Sequence, residues 1–300
     1  MCAESTSERL KGPAALEALA QRFPQLYVAP AEGAQEAHRL ASGRGIAPQD
    51  ATLAHFTGSP EDELREVGTP AGPVEVLFLK QRCDFETFLQ IIGHKSNPVP
   101  IARTVGAITY RGLADWGKVS AAYEAHLASG GQNWGDEFAR LAREPGAFRS
   151  EIVVISEGPY SNVPADETPF APDEWLRVSR EIRLHHECAH VVCRRTMPDG
   201  ILPVWDEVTA DVVGLLCATR RYDASLATRF LGIAESGFFG GRLSEYLDEE
   251  QKERIDEIAS EVFSACIQVE QMCSAGNVAE TAANAFEFLL ELKRAPLITY

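Results

Sequence analysis

The segment EIVVISEGPYSNVPADETPFAPDEWLRVSREIRLHHECAH, residues 151–190, largely determines the fold that the sequence predicts. Its first six residues, Glu151 to Ser156, are mostly β-branched and predict a buried strand. A loop rich in glycine and proline follows. From Asp173 onward, apolar residues recur every three or four positions, which predicts a helix over residues 173–195. A strand therefore leads, through one loop, into a long helix.

Strands and short helices alternate before this segment. Strands are predicted over residues 74–79 and 104–110, and helices over residues 14–23, 84–92, 115–127 and 135–143. The stretch 30–73 is rich in glycine, proline and acidic residues, and it predicts loops with short helices.

The chain after this segment has a helical pattern almost throughout. Helices are predicted over residues 203–221, 223–235, 244–273 and 277–293. The expected fold class is therefore α+β, with a small mixed β-sheet in an N-terminal α/β part (1–150) and a mostly helical part (151–300). The 300 residues are expected to form one continuous unit in which the two parts share a cleft.

The helix over residues 173–195 contains the arrangement that indicates a specific chemistry. His186, Glu187 and His190 match the pattern H-E-x-x-H, in which two histidines one turn apart bind zinc. Four residues turn a helix by about 400°, so both imidazoles project from the same face. Glu187 lies about 100° round the helix, where its carboxylate can take a proton from a zinc-bound water. The pattern predicts a catalytic Zn²⁺ site.

The apolar pattern of this helix directs the two histidines toward the interior. Trp175, Val178 and Ile182 form a stripe at three- to four-residue spacing, and His186 and His190 continue it. Two satisfied core histidines are the alternative. The glutamate between them favours metal ligands.

The next predicted helix carries two carboxylates where its pattern calls for apolar residues. Its stripe runs through Val204, Glu207, Asp211, Leu215 and Ala218. An unpaired carboxylate costs several kcal/mol to bury, so each of the two positions needs a cation or a hydrogen-bond donor. Glu207 as third zinc ligand and Asp211 as acceptor of a histidine N–H satisfy both requirements.

Other interpretations of these polar residues remain open from the sequence. Glu207 could instead complement the positive end of its helix, or Asp206 could be the ligand in its place. Asp211 could accept an N–H group with no metal involved. His185 points elsewhere on its helix, and we expect it to be a structural or rim residue.

The two motifs together resemble the gluzincin class of zincin metallopeptidases, which carries H-E-x-x-H on one helix and E-x-x-x-D on a following helix. The resemblance implies a zincin-like fold with zinc ligands His186, His190 and Glu207, a catalytic base at Glu187 and an orienting carboxylate at Asp211. It also implies a mixed sheet whose edge strand lines the substrate cleft, with residues 151–156 as the candidate strand. The match covers residues 151–215.

The sequence departs from that class in two ways. It has no G-x-M-E-N segment of the kind that aminopeptidases of the class use to bind the substrate amine. No histidine follows His190, so the transition-state histidine of thermolysin-like enzymes has no counterpart. A tyrosine or an arginine would have to stabilise the oxyanion. Tyr246 is the first candidate, and Tyr222, Arg229 and Arg242 are the others.

Composition and charge limit the classes of partner. The formal charge of −16 argues against nucleic acid and against an anionic membrane surface. No segment approaches the roughly 18 apolar residues of a membrane span, and the first residues lack a signal-like apolar stretch. The seven cysteines form no C-x-x-C pair, which is typical of a reduced cytoplasmic protein.

The leading hypothesis is a zinc metallopeptidase that hydrolyses a peptide or protein substrate, with Glu187 as general base. The alternative is a non-catalytic protein that keeps the metal site for structure or sensing. The fourth zinc position distinguishes the two. An open position favours the enzyme, whereas a fourth protein ligand such as a cysteine favours a structural site.

Overall fold

The fold is taken from a computed structural model that describes residues 9–144, 146–197, 202–276 and 282–298. Its framework is a five-stranded sheet. The strands are β1 (Leu10–Lys11), β2 (Glu63–Thr69), β3 (Gly72–Leu79), β4 (Ala107–Ala114) and β5 (Arg149–Ser156). Their order across the sheet is β1-β2-β3-β5-β4. The β3–β5 pair is parallel and the other three pairs are antiparallel, so the sheet is mixed.

Helices dominate the second half of the chain. Within the described ranges the α-helices of both halves are α1 (Pro13–Arg22), α2 (Gln35–Arg44), α3 (Arg82–Ile92), α4 (Trp116–Ala128), α5 (Trp134–Leu141), α6 (Pro172–Thr196), α7 (Pro203–Thr219), α8 (Ala224–Leu231), α9 (Glu249–Lys252), α10 (Ile255–Gly276) and α11 (Ala282–Arg294). A hairpin of two short strands, β6 (Ile233–Ala234) and β7 (Gly237–Phe238), interrupts them. The predicted α+β class is confirmed.

The central strands β3 and β5 are apolar on both faces, because each face of the sheet packs on different helices. Val76 and Phe78 of β3 belong to a core cluster with residues of α6 and α7. Leu77 and Leu79 belong to a second cluster with residues of α1 and α3. Alternate residues of one strand thus enter two cores. The sheet is the layer that joins the two halves of the chain.

The position of β5 corrects one expectation. The resemblance implies that residues 151–156 form the edge strand, but β5 pairs with β3 on one side and with β4 on the other. The edge strand on this side of the sheet is therefore β4, and β1 forms the opposite edge. The physical reason lies in the sequence of β5, since its residues from Ile152 to Ile155 are at most 2% exposed. A strand that is apolar on both faces belongs in the middle of a sheet.

The sequence patterns did not predict one strand, and they placed one helix boundary wrongly. β2 lies in the stretch 30–73, where loops and short helices are predicted, and its buried pattern is interrupted by half-exposed and exposed residues. The predicted helix 223–235 ends earlier, at Leu231. It ends there because Gly232 adopts a left-handed conformation with φ of 73° and caps the helix.

The predicted helix over residues 244–273 is divided into three. A 3-10 helix, Arg242–Tyr246, comes first and α9 follows it. Asp248 caps α9 in a reciprocal arrangement with Gln251, which starts a new helix where the apolar pattern alone suggests continuity. The first residues of the predicted helix 277–293, up to residue 281, lie outside the described residues.

The helices α6 and α7, which carry the candidate metal ligands, lie in close contact. A Cβ atom at Gly214 of α7 would lie 2.9 Å from the carbonyl oxygen of Ile182 in α6, so glycine permits this approach. His186 follows Ile182 by one helical turn, and Asp211 precedes Gly214 by almost one turn. The contact therefore brings the histidine-bearing and carboxylate-bearing turns of the two helices together.

The division of the chain at residues 150 and 151 stays a prediction. Strand β5 spans that boundary and pairs with strands of the N-terminal half.

No disulfide joins the described cysteines. None of the described helices combines the length and the apolar character that a membrane crossing requires. The cytoplasmic location stays a prediction.

Candidate metal centre

Side chains from α6 and α7 converge on one point. His186 and His190 lie one turn apart on α6, and Glu207 lies near the start of α7. The Nε2 atoms of the two histidines are 3.1 Å apart. The Glu207 carboxylate oxygens lie 3.3 Å from His186 Nε2 and 3.5 Å from His190 Nε2. These three residues form a group that could hold a metal ion.

The distances match the spacing of ligands around one small cation. Tetrahedral bonds of about 2.0–2.1 Å to zinc place neighbouring ligand atoms about 3.3 Å apart. Each histidine directs Nδ1 at a carboxylate, which favours a proton on Nδ1 and a lone pair on Nε2. Two lone pairs that face each other at 3.1 Å repel unless a proton or a cation lies between them. The donor set therefore fits a metal ion.

His186 is oriented by a buried network around Asp211. His186 Nδ1 lies 2.8 Å from Asp211 Oδ1. The Tyr160 hydroxyl donates to the same oxygen at 2.5 Å, and Arg242 Nη2 donates to Asp211 Oδ2 at 2.5 Å. Asp211 is 1% exposed, so the Arg242 guanidinium supplies the positive charge that its burial requires. The network fixes both the direction of the imidazole and the charge behind it.

His190 is oriented by a second set of contacts. His190 Nδ1 lies 2.8 Å from Asp206 Oδ2, and Lys293 of α11 donates to Asp206 Oδ1. The sequence leaves Asp206 open as a third ligand in place of Glu207. In the structure it faces the far nitrogen of His190 and lies outside the ligand group. Two adjacent residues of α7 thus take different positions. The Glu207 carboxylate lies beside the metal position, and the Asp206 carboxylate lies behind His190.

Carboxylates around His186 change the proton affinities of the metal-free site. Burial alone lowers the pKa of His186, but hydrogen bonds to Asp211 and Glu207 outweigh it and raise the pKa to about 10. Burial raises the pKa of Glu207, but the hydrogen bond and charge of His186 outweigh it and lower the pKa to about 2. A proton is therefore held between imidazole and carboxylate. A metal ion would have to displace that proton.

Glu187 lies beside the ligand group without belonging to it. The Thr109 hydroxyl of β4 donates to Glu187 Oε2 at 2.6 Å. Glu187 is half-buried and borders the same cavity as His186, His190 and Glu207. A carboxylate that is held in one position next to the ligands can accept a proton from a group bound there.

The cavity has a volume of about 320 Å³, and residues 104–109, which lead into strand β4 and include its first three residues, form part of its lining. Tyr246 and Arg242, two of the four candidates for stabilising an oxyanion, also border it. The other two candidates do not. Tyr222 is buried beside Cys266, and Arg229 pairs with Glu167.

Tyr246 is the better placed of the two remaining candidates. Arg242 is already bound to Asp211. Burial raises the pKa of Tyr246 well above its usual value, and the charge of Glu207 together with a hydrogen bond to it acts in the same direction. The phenol therefore keeps its proton at neutral pH and remains a hydrogen-bond donor in the cavity wall.

His185 has no part in the ligand group. Burial lowers its pKa to about 4, so the ring is neutral at neutral pH. Its Nδ1 atom is buried with no hydrogen-bond partner among the described residues. Its Nε2 atom lies 3.8 Å from Glu181. These observations agree with a structural residue.

A family profile described as "Family of unknown function (DUF7005)" matches residues 5–299. The chain belongs to this family. No curated protein and no solved structure matches it.

Residues that support the site were missed from the sequence. Tyr160 lies 51 positions from Asp211, and Lys293 lies 87 positions from Asp206. Thr109 lies 78 positions from Glu187. No helical or strand periodicity connects positions so far apart. Only a lysine within the apolar pattern of α11 could have been noticed, because a buried lysine requires a carboxylate.

Proposed function

We propose that the protein is a zinc-dependent hydrolase with a zincin-like fold, and that its substrate is a peptide or protein. The observation that carries this proposal is the convergence of His186, His190 and Glu207 beside Glu187 in one cavity. Two imidazoles and one carboxylate are a ligand set that catalytic zinc commonly uses. The resemblance to gluzincins assigns the same roles to the same residues.

The composition of the ligand group favours a catalytic site over a structural one. In the described ranges of the chain the group has three members, and no cysteine belongs to it. Structural zinc sites normally have four protein ligands, whereas catalytic sites leave one position for water or substrate. A cavity of about 320 Å³ adjoins the group and offers space for a substrate. A non-catalytic metal protein is the weaker alternative.

The roles of the protein groups follow from their positions. Bound zinc would supply Lewis acidity and lower the pKa of a coordinated water toward about 7. Glu187 accepts the proton of the attacking water and returns it to the leaving amine. Thr109 holds the Glu187 carboxylate in place through its 2.6 Å hydrogen bond. Tyr246 donates a hydrogen bond to the oxygen on which negative charge develops.

The edge strand favours a peptide over other amides. β4 pairs with β5 and lies at the edge of the sheet. The backbone N–H and C=O groups of an edge strand can bind an extended chain as an additional strand. Residues 104–109, which include the start of β4, line the cavity that contains the metal ligands. An extended peptide bound there would pass the ligand group.

The first test is metal content. We expect the protein produced with added zinc to hold about one zinc ion per chain, and His186→Ala to hold far less because a ligand is lost. Inductively coupled plasma mass spectrometry measures both. Zinc well below one equivalent in the unaltered protein contradicts the proposal.

The second test separates catalysis from binding. Glu187→Gln should keep its zinc but lose at least about a hundredfold in hydrolysis of a pool of quenched fluorescent peptides. Glu181→Gln is a matched control, because Glu181 lies on the same helix, 45% exposed. Tyr246→Phe should lower kcat by about tenfold or more at unchanged zinc content. Full activity in Glu187→Gln contradicts the mechanism.

A further inference from the structure

The wall of the metal cavity contains a buried arginine whose charge no carboxylate balances. Arg183 is 5% exposed and borders the cavity. Its guanidinium donates to the backbone carbonyl oxygens of Gly158 at 2.6 Å and Pro159 at 2.7 Å. Within the described part of the chain, no carboxylate forms an ion pair with it. A buried charge in this situation carries a large desolvation cost.

The other arginines of the cavity lining differ in this respect. Arg194 Nη2 lies 3.2 Å from Glu151, and Arg242 Nη2 lies 2.5 Å from Asp211. The carboxylate that acts on Arg183 electrostatically is Glu157, which Lys80 binds at 2.8 Å. Two positive charges, on Arg82 and Arg242, act on Arg183 as well. Among the described arginines that line the cavity, Arg183 is the one that lacks a carboxylate partner.

The surroundings hold this guanidinium in a fixed position. A Cβ atom at Gly106 would lie 2.3 Å from Arg183 Nε, so the backbone of residue 106 lies directly against the guanidinium. The loop that supplies the carbonyl acceptors continues through Ser161 and Asn162, which have positive φ values of 51° and 59°. Such conformations in consecutive residues without glycine are uncommon and cost free energy, and they concentrate at functional sites.

The place of Arg183 on α6 relates it to the reacting groups. It precedes His186 by three residues and Glu187 by four, so the three side chains lie on one side of the helix within about one turn. One turn advances about 5.4 Å along the helix, and an extended peptide advances about 3.3 Å per residue. A group bound by Arg183 would therefore lie within one or two residues of a bond held at the metal ligands.

We infer that Arg183 binds a carboxylate of the substrate, so that the protein prefers peptides with a negative charge within one or two residues of the bond it cleaves. This inference rests on the proposed function. The carboxylate is either the C-terminal one or that of an aspartate or glutamate side chain. Because the chain as a whole carries a charge of −16, an anionic substrate is recognised by a local guanidinium and not by the overall field.

The test compares two small zinc-binding probes, succinic acid monohydroxamate and its primary amide, on the zinc-loaded protein by titration calorimetry. They differ only in the terminal carboxylate. We expect the carboxylate probe to bind at least tenfold more tightly to the unaltered protein. Arg183→Gln should abolish this preference, and Gly106→Ala should reduce it because the new methyl group displaces the guanidinium.

The matched control is Arg180→Gln. Arg180 lies one turn earlier on α6, pairs with Glu63 at 3.3 Å and does not line the cavity. It should retain the full preference for the carboxylate probe. An arginine that only supported the loop would affect both probes equally, so the ratio of the two affinities separates binding from a structural role. If Arg183→Gln fails to fold, Gly106→Ala still decides, because its added methyl group displaces the same guanidinium and should lower the preference for the carboxylate probe.

Peptide substrates then distinguish the two sources of the carboxylate. Four peptides share one core sequence and end in a free acid or an amide, with either Glu or Gln beside the cleaved bond. Preference for the free acid assigns Arg183 to the C-terminus, and preference for Glu assigns it to a side chain. Equal affinity for the two hydroxamates contradicts the inference alone. Absence of zinc, or failure of both hydroxamates to bind, contradicts the proposed function.

Discussion

The two histidines of the candidate metal centre are oriented by similar series of contacts that differ in burial. Each series runs from a histidine Nδ1 to an aspartate and then to a cation. The Asp211 and Arg242 side chains are 1% and 10% exposed. The Asp206 side chain is 34% exposed, although its partner Lys293 is 1% exposed. The series of contacts through Asp211 lies inside the protein, whereas the series through Asp206 reaches solvent at the aspartate.

This difference separates two tasks of a carboxylate behind a metal ligand. Both aspartates orient an imidazole, which tunes metal affinity. Asp211 also compensates a buried guanidinium, so the fold itself depends on its charge. Asp206 can exchange part of its interaction with Lys293 for interaction with water, so the fold should depend on it less.

The largest effect should come from Asp211→Asn. The change leaves Arg242 buried without a counter-charge, so we expect the metal-free protein to lose about 3–5 kcal/mol of unfolding free energy. Zinc affinity should fall by about 10- to 100-fold as well. Urea denaturation and a competitive zinc titration measure the two. Glu249→Gln, at a residue that is 91% exposed, is the control that should change neither. Unchanged stability would show that the fold does not depend on the buried contact between Asp211 and Arg242.

Gly214→Ala tests the close contact that brings α6 and α7 together. The added methyl group would lie 2.9 Å from the Ile182 carbonyl oxygen, so the helices must separate at a cost of about 2 kcal/mol. The matched control is Gly43→Ala in α2, where no atom lies within 4 Å of the new Cβ and the stability should be kept or raised. Denaturant titrations of both variants that gave the same midpoint would contradict the role of Gly214.

Asp206→Asn should affect metal binding more selectively than Asp211→Asn. We expect zinc affinity to fall about tenfold, because the acceptor behind His190 loses its charge. The unfolding free energy of the metal-free protein should fall by only about 1–2 kcal/mol, because Asp206 is partly exposed and the flexible stem of Lys293 lets its ammonium group move toward the water there. Measured side by side, the two aspartate variants should differ in stability. Equal losses of unfolding free energy in the two variants would contradict the distinction between Asp206 and Asp211.

Tyr160→Phe should have the smallest of these effects. The phenylalanine keeps the aromatic packing against Phe230 but removes the hydroxyl that donates to Asp211. Asp211 retains Arg242, so we expect a loss of about 1 kcal/mol in unfolding free energy and a few-fold loss in zinc affinity. Tyr123→Phe, at a tyrosine that is 42% exposed, should match the unaltered protein. A loss as large as that of Asp211→Asn would show that the hydroxyl, and not the guanidinium, satisfies the carboxylate.

Local patterns of the sequence determined the elements on which the site lies. The helical stripe through Trp175 and Ile182 continues to His186, and the structure buries all three. The stripe through Val204 likewise indicated that Asp211 faces the interior, where it is 1% exposed. Helical periodicity has this power because residues three or four apart share a face whatever the rest of the chain does.

Tertiary structure alone decided which groups meet across long separations. The order of the strands placed β4 at an edge of the sheet next to β5, because β5 is apolar on both faces and belongs in the interior of the sheet. The approach of α11 gave Asp206 its partner Lys293, and the 3-10 helix after β7 brought Arg242 to Asp211. No short-range rule specifies such contacts, because they depend on how layers of helices and sheet pack against one another.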